Sequence, residues 1–202
     1  YGPFHRLHEL KDSGSAITAF EYYAFGQLKK HSDPDSGDTT YTYDGFEEPK
    51  TSAQSGRVRT YVHDVLGRLD KVLDGAQTTS WVYDQGPNGL GRLSKTTSPT
   101  NQSVEYGYES DDGPQRRGLL RSVEYLIDQN SYTTTTTYDD LGRPSVVEYP
   151  TSYFGATIYA NYHYDPASGT LKDVTEGSTN AERPIWKLDA AYQGFLVAQE
   201  TF

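Results

Sequence analysis

The sequence has no cysteine and no methionine, and only 34% of its 202 residues are hydrophobic. Without cysteine there are no disulfides and no thiolate metal centres, and the redox compartment cannot be read from thiol usage. No apolar run approaches the length of a membrane-spanning helix. No charged-then-apolar leader opens the chain, which begins at Tyr1 and reads as a piece of a longer protein. Basic runs are also missing. Nothing exceeds Lys29-Lys30 or Arg116-Arg117, and the formal net charge is -10. Nucleic-acid binding leaves a basic footprint and anionic lipid attracts basic segments, so neither partner is expected.

The chain is instead rich in aromatic residues, with 18 Tyr, 7 Phe and 2 Trp. Tyrosine buries a ring while its hydroxyl bonds at the rim. Tyr and Thr both suit the pleated, half-buried surface of a strand. The five threonines Thr133 to Thr137 read as strand, because β-branched residues lose side-chain freedom in a helix.

The aromatic residues recur in a unit: aromatic, any, Tyr, Asp, two residues, Gly, Arg, Leu, then a second turn and another strand. The fullest copy is Tyr61-Val62-His63-Asp64-Val65-Leu66-Gly67-Arg68-Leu69. Other copies carry Tyr22 with Gly26; Tyr43-Asp44; Tyr83-Asp84 with Gly91-Arg92; Tyr108 with Gly118; Tyr138-Asp139 with Gly142-Arg143; and Tyr164-Asp165 with Gly169. Gly194 belongs to a worn last copy. The first three intervals between key positions are 21, 20 and 20 residues, and later ones are longer.

Each position has a physical reason. Residues two apart on a strand point to one face. Asp bonds its own backbone two residues on and starts a turn. Gly supplies positive φ for the reversal, and Arg-Leu opens the returning strand. Second turns are expected at Asp33-Pro34-Asp35-Ser36-Gly37, Asp74-Gly75 and Asp128-Gln129-Asn130. The expectation is an all-β chain of roughly fourteen to sixteen strands in tandem antiparallel hairpins, with almost no helix. Residues 44 to 56, 85 to 90 and 109 to 117 are expected to be surface-loop insertions. Gly56-Arg57-Val58 fits no regular unit. No linker divides the chain, so residues 1–202 are expected to form one array.

These repeats resemble the YD repeats of bacterial Rhs proteins, of the B and C subunits of insecticidal toxin complexes, and of the teneurins. Tyr83-Asp84, His63-Asp64 through Leu69, Tyr138-Asp139 through Pro144 and Tyr164-Asp165-Pro166 carry the match, with Trp186-Lys187-Leu188-Asp189 and Gln199-Glu200-Thr201-Phe202 resembling the toxin branch. The resemblance implies a curved strip of hairpins forming part of a hollow shell that encloses a toxin polypeptide. It implies a secreted or cell-surface bacterial protein, with the rest of the shell, the enclosed toxin and toxin-complex subunits as partners. The self-cleaving aspartate core of such proteins finds no match here; Asp165-Pro166-Ala167-Ser168-Gly169 sits in the repeat's own turn position. A strip cut from a shell has open sheet edges and is expected to self-associate.

Enzymatic readings fare less well. A glycosidase needs two carboxyls at a defined separation, whereas Asp111-Asp112, Asp139-Asp140 and Glu47-Glu48 recur because turns recur. Asp33, Asp35 and Asp38 resemble the start of a calcium loop, but Gly37 stands fifth rather than sixth. His5, His8, His63 and His163 offer no zinc set, and His63 reads as a substitute for the repeat tyrosine. There is no Gly-x-Ser-x-Gly elbow and no phosphate loop. No catalytic residue, cofactor or metal is expected. The alternative to the shell is a carbohydrate-binding or adhesion module, with the pairs Tyr41/Tyr43, Trp81/Tyr83, Tyr106/Tyr108 and Tyr162/Tyr164 stacking on sugars. The same pairs read first as the seam between hairpins, since cross-strand aromatic pairs stabilise sheets.

Overall fold

The computed structural model describes residues 5–109, 118–152, 155–177, 183–188 and 200–201. Among them the chain is all-β, with seventeen strands and no α-helix. Among the described residues no helix is long and apolar enough to cross a membrane. Two compact units are present, one of residues 1–81 with 98–100, the other of residues 82–97 with 101–202.

The first unit holds β1 (Glu9–Lys11), β2 (Ile17–Tyr22), β3 (Leu28–Asp33), β4 (Gly37–Tyr43), β5 (Pro49–Gln54), β6 (Arg57–His63), β7 (Leu69–Asp74) and most of β8 (Gln77–Tyr83). Each strand pairs antiparallel with the next. The second unit runs from β9 (Leu93–Thr97) and β10 (Ser103–Tyr108) through β11 (Leu120–Ile127), β12 (Asn130–Tyr138) and β13 (Pro144–Glu148). It continues with β14 (Tyr159–Tyr164), β15 (Leu171–Glu176), β16 (Arg183–Leu188) and the two-residue β17 (Glu200–Thr201). Here too every strand pairs antiparallel with its successor.

The expected second turns are present. Asp33 Oδ1 accepts from the Asp35 and Ser36 amides. Asp128 and Gln129 both take positive φ, as a two-residue hairpin turn requires. Thr133 to Thr137 lie in β12.

One expected loop is corrected. Residues 44 to 56 are not an insertion, because β5 lies within them. Ser55 and Gly56, both at positive φ, form the hairpin turn into β6. The stretch that fitted no unit is thus an ordinary second turn and strand start. Residues 85 to 90 do form a loop, and 110–117 lie outside the described residues.

The sheet has almost no interior. Among the described residues, only Ala160 and Val174 are buried hydrophobics. Most strand residues are half-buried or exposed on both faces. A sheet of this kind gains little from a core, so cross-strand pairing and side-chain bonds between hairpins carry the fold.

Candidate functional site

The groups that looked most like a site in the sequence are gathered at the Asp turns. The turn at Asp139 shows the complete arrangement. Its Oδ1 accepts from the Leu141 and Arg143 amides, both at 2.9 Å. Its Oδ2 accepts from Arg143 Nε at 2.7 Å, with Nη2 at 2.6 Å. Gly142 closes the turn at φ 78°, donating to the Asp139 carbonyl. The Asp64 turn repeats this with Leu66, Gly67 and Arg68. Burial is the largest single influence on Asp139 and Asp64, and it works to raise their pKa values. The hydrogen bonds from the arginine and the turn amides together outweigh it and hold both carboxyls below the ordinary range. Asp165 is held low chiefly by the Ser168 amide.

The arginine then reaches the following hairpin. Arg143 Nη1 donates to the Gly169 carbonyl at 2.9 Å, and its guanidinium lies 4.0 Å from the centre of the Tyr164 ring. Tyr164 closes the circuit by donating its hydroxyl to the Pro144 carbonyl at 2.9 Å. Arg92 does the same with Gly118 and Tyr108, the latter donating to Leu93. Arg6 stands over Tyr22, which donates to Leu7. Tyr43 donates to Leu28 and Tyr138 to Leu120, without a stacked arginine. Each of these five rungs thus joins one turn to the next hairpin through a hydroxyl–carbonyl bond, and at Arg6, Arg92 and Arg143 a guanidinium also lies over the ring. Burial is the first cause of the raised pKa of Tyr43, Tyr138 and Tyr164.

A bulge aims each of these rings. Register shifts fall between Glu21/Tyr22, Thr42/Tyr43, Val62/His63, Gly107/Tyr108, Thr137/Tyr138 and His163/Tyr164. A bulge re-aims a side chain, and these six fall at the repeat-tyrosine position, which His63 holds in one copy; a seventh shift lies between Val174 and Thr175. Sequence reasoning missed this. The extra residue sits two places after the turn's Arg position (Lys29, Lys50, Asp70, Arg121, Ser145, Lys172), with no common side chain to betray it.

The structure places the remaining expected residues as follows. Gly26, Gly91, Gly118 and Gly169 take positive φ in their turns, and so does Asp84 itself. Asp84 Oδ1 accepts from Gly91 across the loop 85–90. The loop therefore lengthens the turn without displacing Arg92 from Tyr108. Tyr83 ends β8. The returning strands begin one residue later than expected, at Leu28, Leu69, Leu93, Leu120 and Leu171, since the Arg place belongs to the turn. Gly194 lies outside the described residues.

One rung departs from the rest. In the Asp44 turn, Glu47 holds the glycine place at φ 67°, and Glu48 holds the arginine place. His63 then stands where the tyrosine is expected, its Nδ1 3.5 Å from Glu48 Oε2. Asp44 Oδ1 accepts from the Phe46 and Glu48 amides as usual. A cleft of about 690 Å³ opens between this turn and the Asp64 turn, lined by Phe46, Glu48, Lys50, His63, Val65 and Leu66 among others.

A second feature lies on the sheet face of the first unit. Asp74 holds two arginines, with Arg57 Nε at 2.5 Å and Arg59 Nη2 at 3.0 Å. The Arg57 hydrogen bond is the main reason its pKa is lowered. Hollows of about 280 and 330 Å³ adjoin this group and share Arg59, Tyr61 and Asp74; Trp81 lines the smaller and Tyr41 the larger. Among the described residues, no group of three His, Asp or Glu gathers to hold a metal. Of the three calcium-loop candidates, Asp33 is engaged by Ser36 and Asp38 by Lys30.

No family model matches the sequence, and no curated protein does. Solved structures match at low similarity. The crystal structure of TcdB2-TccC3 matches with a TM-score of 0.42 and 13% identity, over 91% of this chain and 14% of that one. The Tc holotoxin pore of Photorhabdus luminescens matches with a TM-score of 0.38 and 14% identity, again over 91% and 14%. A porin-like protein from Bacteroides uniformis matches with a TM-score of 0.36 and 14% identity, over 87% and 91%. The chain thus spans about a seventh of the toxin-complex chains it matches, and at these low scores it is assigned to no family.

Proposed function

We propose that this chain is a non-enzymatic wall segment of a YD/Rhs-type shell that works outside the cell and encloses a toxin polypeptide. The observation that supports it is how the conspicuous side chains are spent. The turn carboxylates bind their own turn amides and arginines, and the rung tyrosines bind backbone carbonyls of the preceding hairpin. These groups build a repeating joint and leave little for acid-base chemistry. A strip without a core suits a wall supported by neighbouring hairpins rather than a free-standing globule.

Cryo-electron microscopy of the full-length gene product tests this reading. The expected result places these residues within a continuous run of hairpins, with strand pairing carried on into the flanking chain around enclosed polypeptide density. A separate domain with closed edges, or turnover on a broad glycoside panel, would overturn it.

The hollows around Trp81, Tyr61 and the Arg57–Asp74–Arg59 group favour one second reading, a carbohydrate-binding face. Aromatic rings stack on sugars, and planar charged groups bond paired hydroxyls. Glycan-array binding lost in Trp81→Ala would support it; an empty array would remove it.

A further inference from the structure

The odd rung at Glu48 and His63 has most of what its sibling rungs use to hold an arginine, but no arginine. At Arg143 the guanidinium is held by the turn carboxylate, the next turn's glycine carbonyl and the face of the next ring. Arg92 contacts the Gly118 carbonyl and the Tyr108 ring in the same way. The corresponding groups near Glu48 are Asp44, Gly67 and His63. Glu48 occupies the arginine slot, for a Cβ built on Gly67 would strike its carboxylate, as one on Gly26 would strike the Arg6 guanidinium. Two carboxylates, Asp44 in the turn and Glu48 in the slot itself, therefore stand where the sibling turns pair a carboxylate with a cation. Asp64 is committed to Arg68, and Lys50 is the cation at the cleft rim. Beside the cleft, Phe46, Val65 and Leu66 are 88%, 102% and 70% exposed, so an apolar wall flanks the charge.

We propose that this cleft takes a guanidinium from outside, the arginine side chain of a polypeptide with an apolar neighbour. The incoming group would bond Glu48 and Asp44, lie against His63, and lay its flanking side chain on Phe46 and Leu66. Arginine rather than lysine is specified, because a planar fork matches a carboxylate pair and stacks on a ring where a point charge does neither.

The test is a hydrogen–deuterium exchange titration of the full-length gene product with N-acetyl-leucyl-arginine amide, and with its lysine and citrulline analogues. Saturable shifts in protection centred on Glu48, His63 and Gly67 are expected, with the uncharged citrulline analogue binding at least about tenfold more weakly. Glu48→Arg, which restores the sibling residue, should abolish binding. Glu48→Gln keeps the shape, should weaken binding about tenfold, and serves if the charge reversal disturbs the fold. Equal binding of the lysine or citrulline analogue would overturn the proposal. So would shifts spread over every Asp turn, binding retained by both Glu48 variants, or no saturable binding at all.

Discussion

The Arg143–Tyr164 rung and the Glu48–His63 rung occupy the same place in the repeat and solve it differently. In the first, a cation lies over a ring and reaches the next turn's carbonyl, so the joint is packed and its polar atoms are satisfied. In the second, a carboxylate meets an imidazole at 3.5 Å and a cleft remains. Both turns keep the Asp that accepts from the amides two and four residues on. The two turns share their aspartate and its amide bonds, while packing between successive hairpins differs with the residue four places later and the ring it meets.

Exchange of the two rungs breaks the comparison most severely. Arg143→Glu with Tyr164→His should cost on the order of 3 kcal/mol, since a cation–π contact and charged hydrogen bonds are lost and Glu is brought beside Asp139. Thermal denaturation measures it, and an unchanged midpoint would mean the rung is ornamental. The reciprocal repair, Glu48→Arg with His63→Tyr, should stabilise by about 1–2 kcal/mol if the sibling contacts form. Tyr164→Phe keeps the ring and removes only the bond to Pro144, for an expected loss of about 1 kcal/mol by chemical denaturation. Glu47→Gly, at a positive φ that costs non-glycine residues, should gain about 0.5–1 kcal/mol, partly offset by a floppier unfolded chain.

The smallest readout is acid sensitivity. Asp139 has its folded pKa below the unfolded value near 3.9. Its contribution is therefore fully present above about pH 4 and is lost as pH falls through the lower folded value. Melting midpoints should hold steady from pH 7 to about pH 5 and fall steeply below about pH 4. Asp139→Asn should shallow that fall. A slope equal to that of the unsubstituted chain would show that the carboxylate is not engaged in solution.

Much of the hairpin order was legible because turn chemistry is local. Asp64, Gly67 and Arg68, or Asp139, Gly142 and Arg143, dictate a reversal whatever surrounds them. At Asp44 the turn aspartate was recognised, but the strand returning from it was read as loop, because Glu47 and Glu48 had replaced the glycine and arginine signals. Ser55-Gly56 was the clue that remained. The seam between hairpins was read only in outline. The tyrosines were expected to stack on one another, yet Tyr164, Tyr108 and Tyr22 bond carbonyls and lie under arginines. Those carbonyls stand 15 to 20 residues upstream, a distance at which no local rule operates.

The scarcity of hydrophobic residues and the absence of cysteine narrow the class of the chain. With few hydrophobic residues, no cysteine and many tyrosines between Asp-Gly turns, hairpins without a thick core were the available solution. Alternation and turn residues act over a few positions, so the sequence alone determined them. The bulge that aims each tyrosine, the arginine that crosses to the next turn and the cleft left by Glu48 and His63 depend on which backbones lie side by side. That is fixed only when the hairpins pair, so only the tertiary structure decided it.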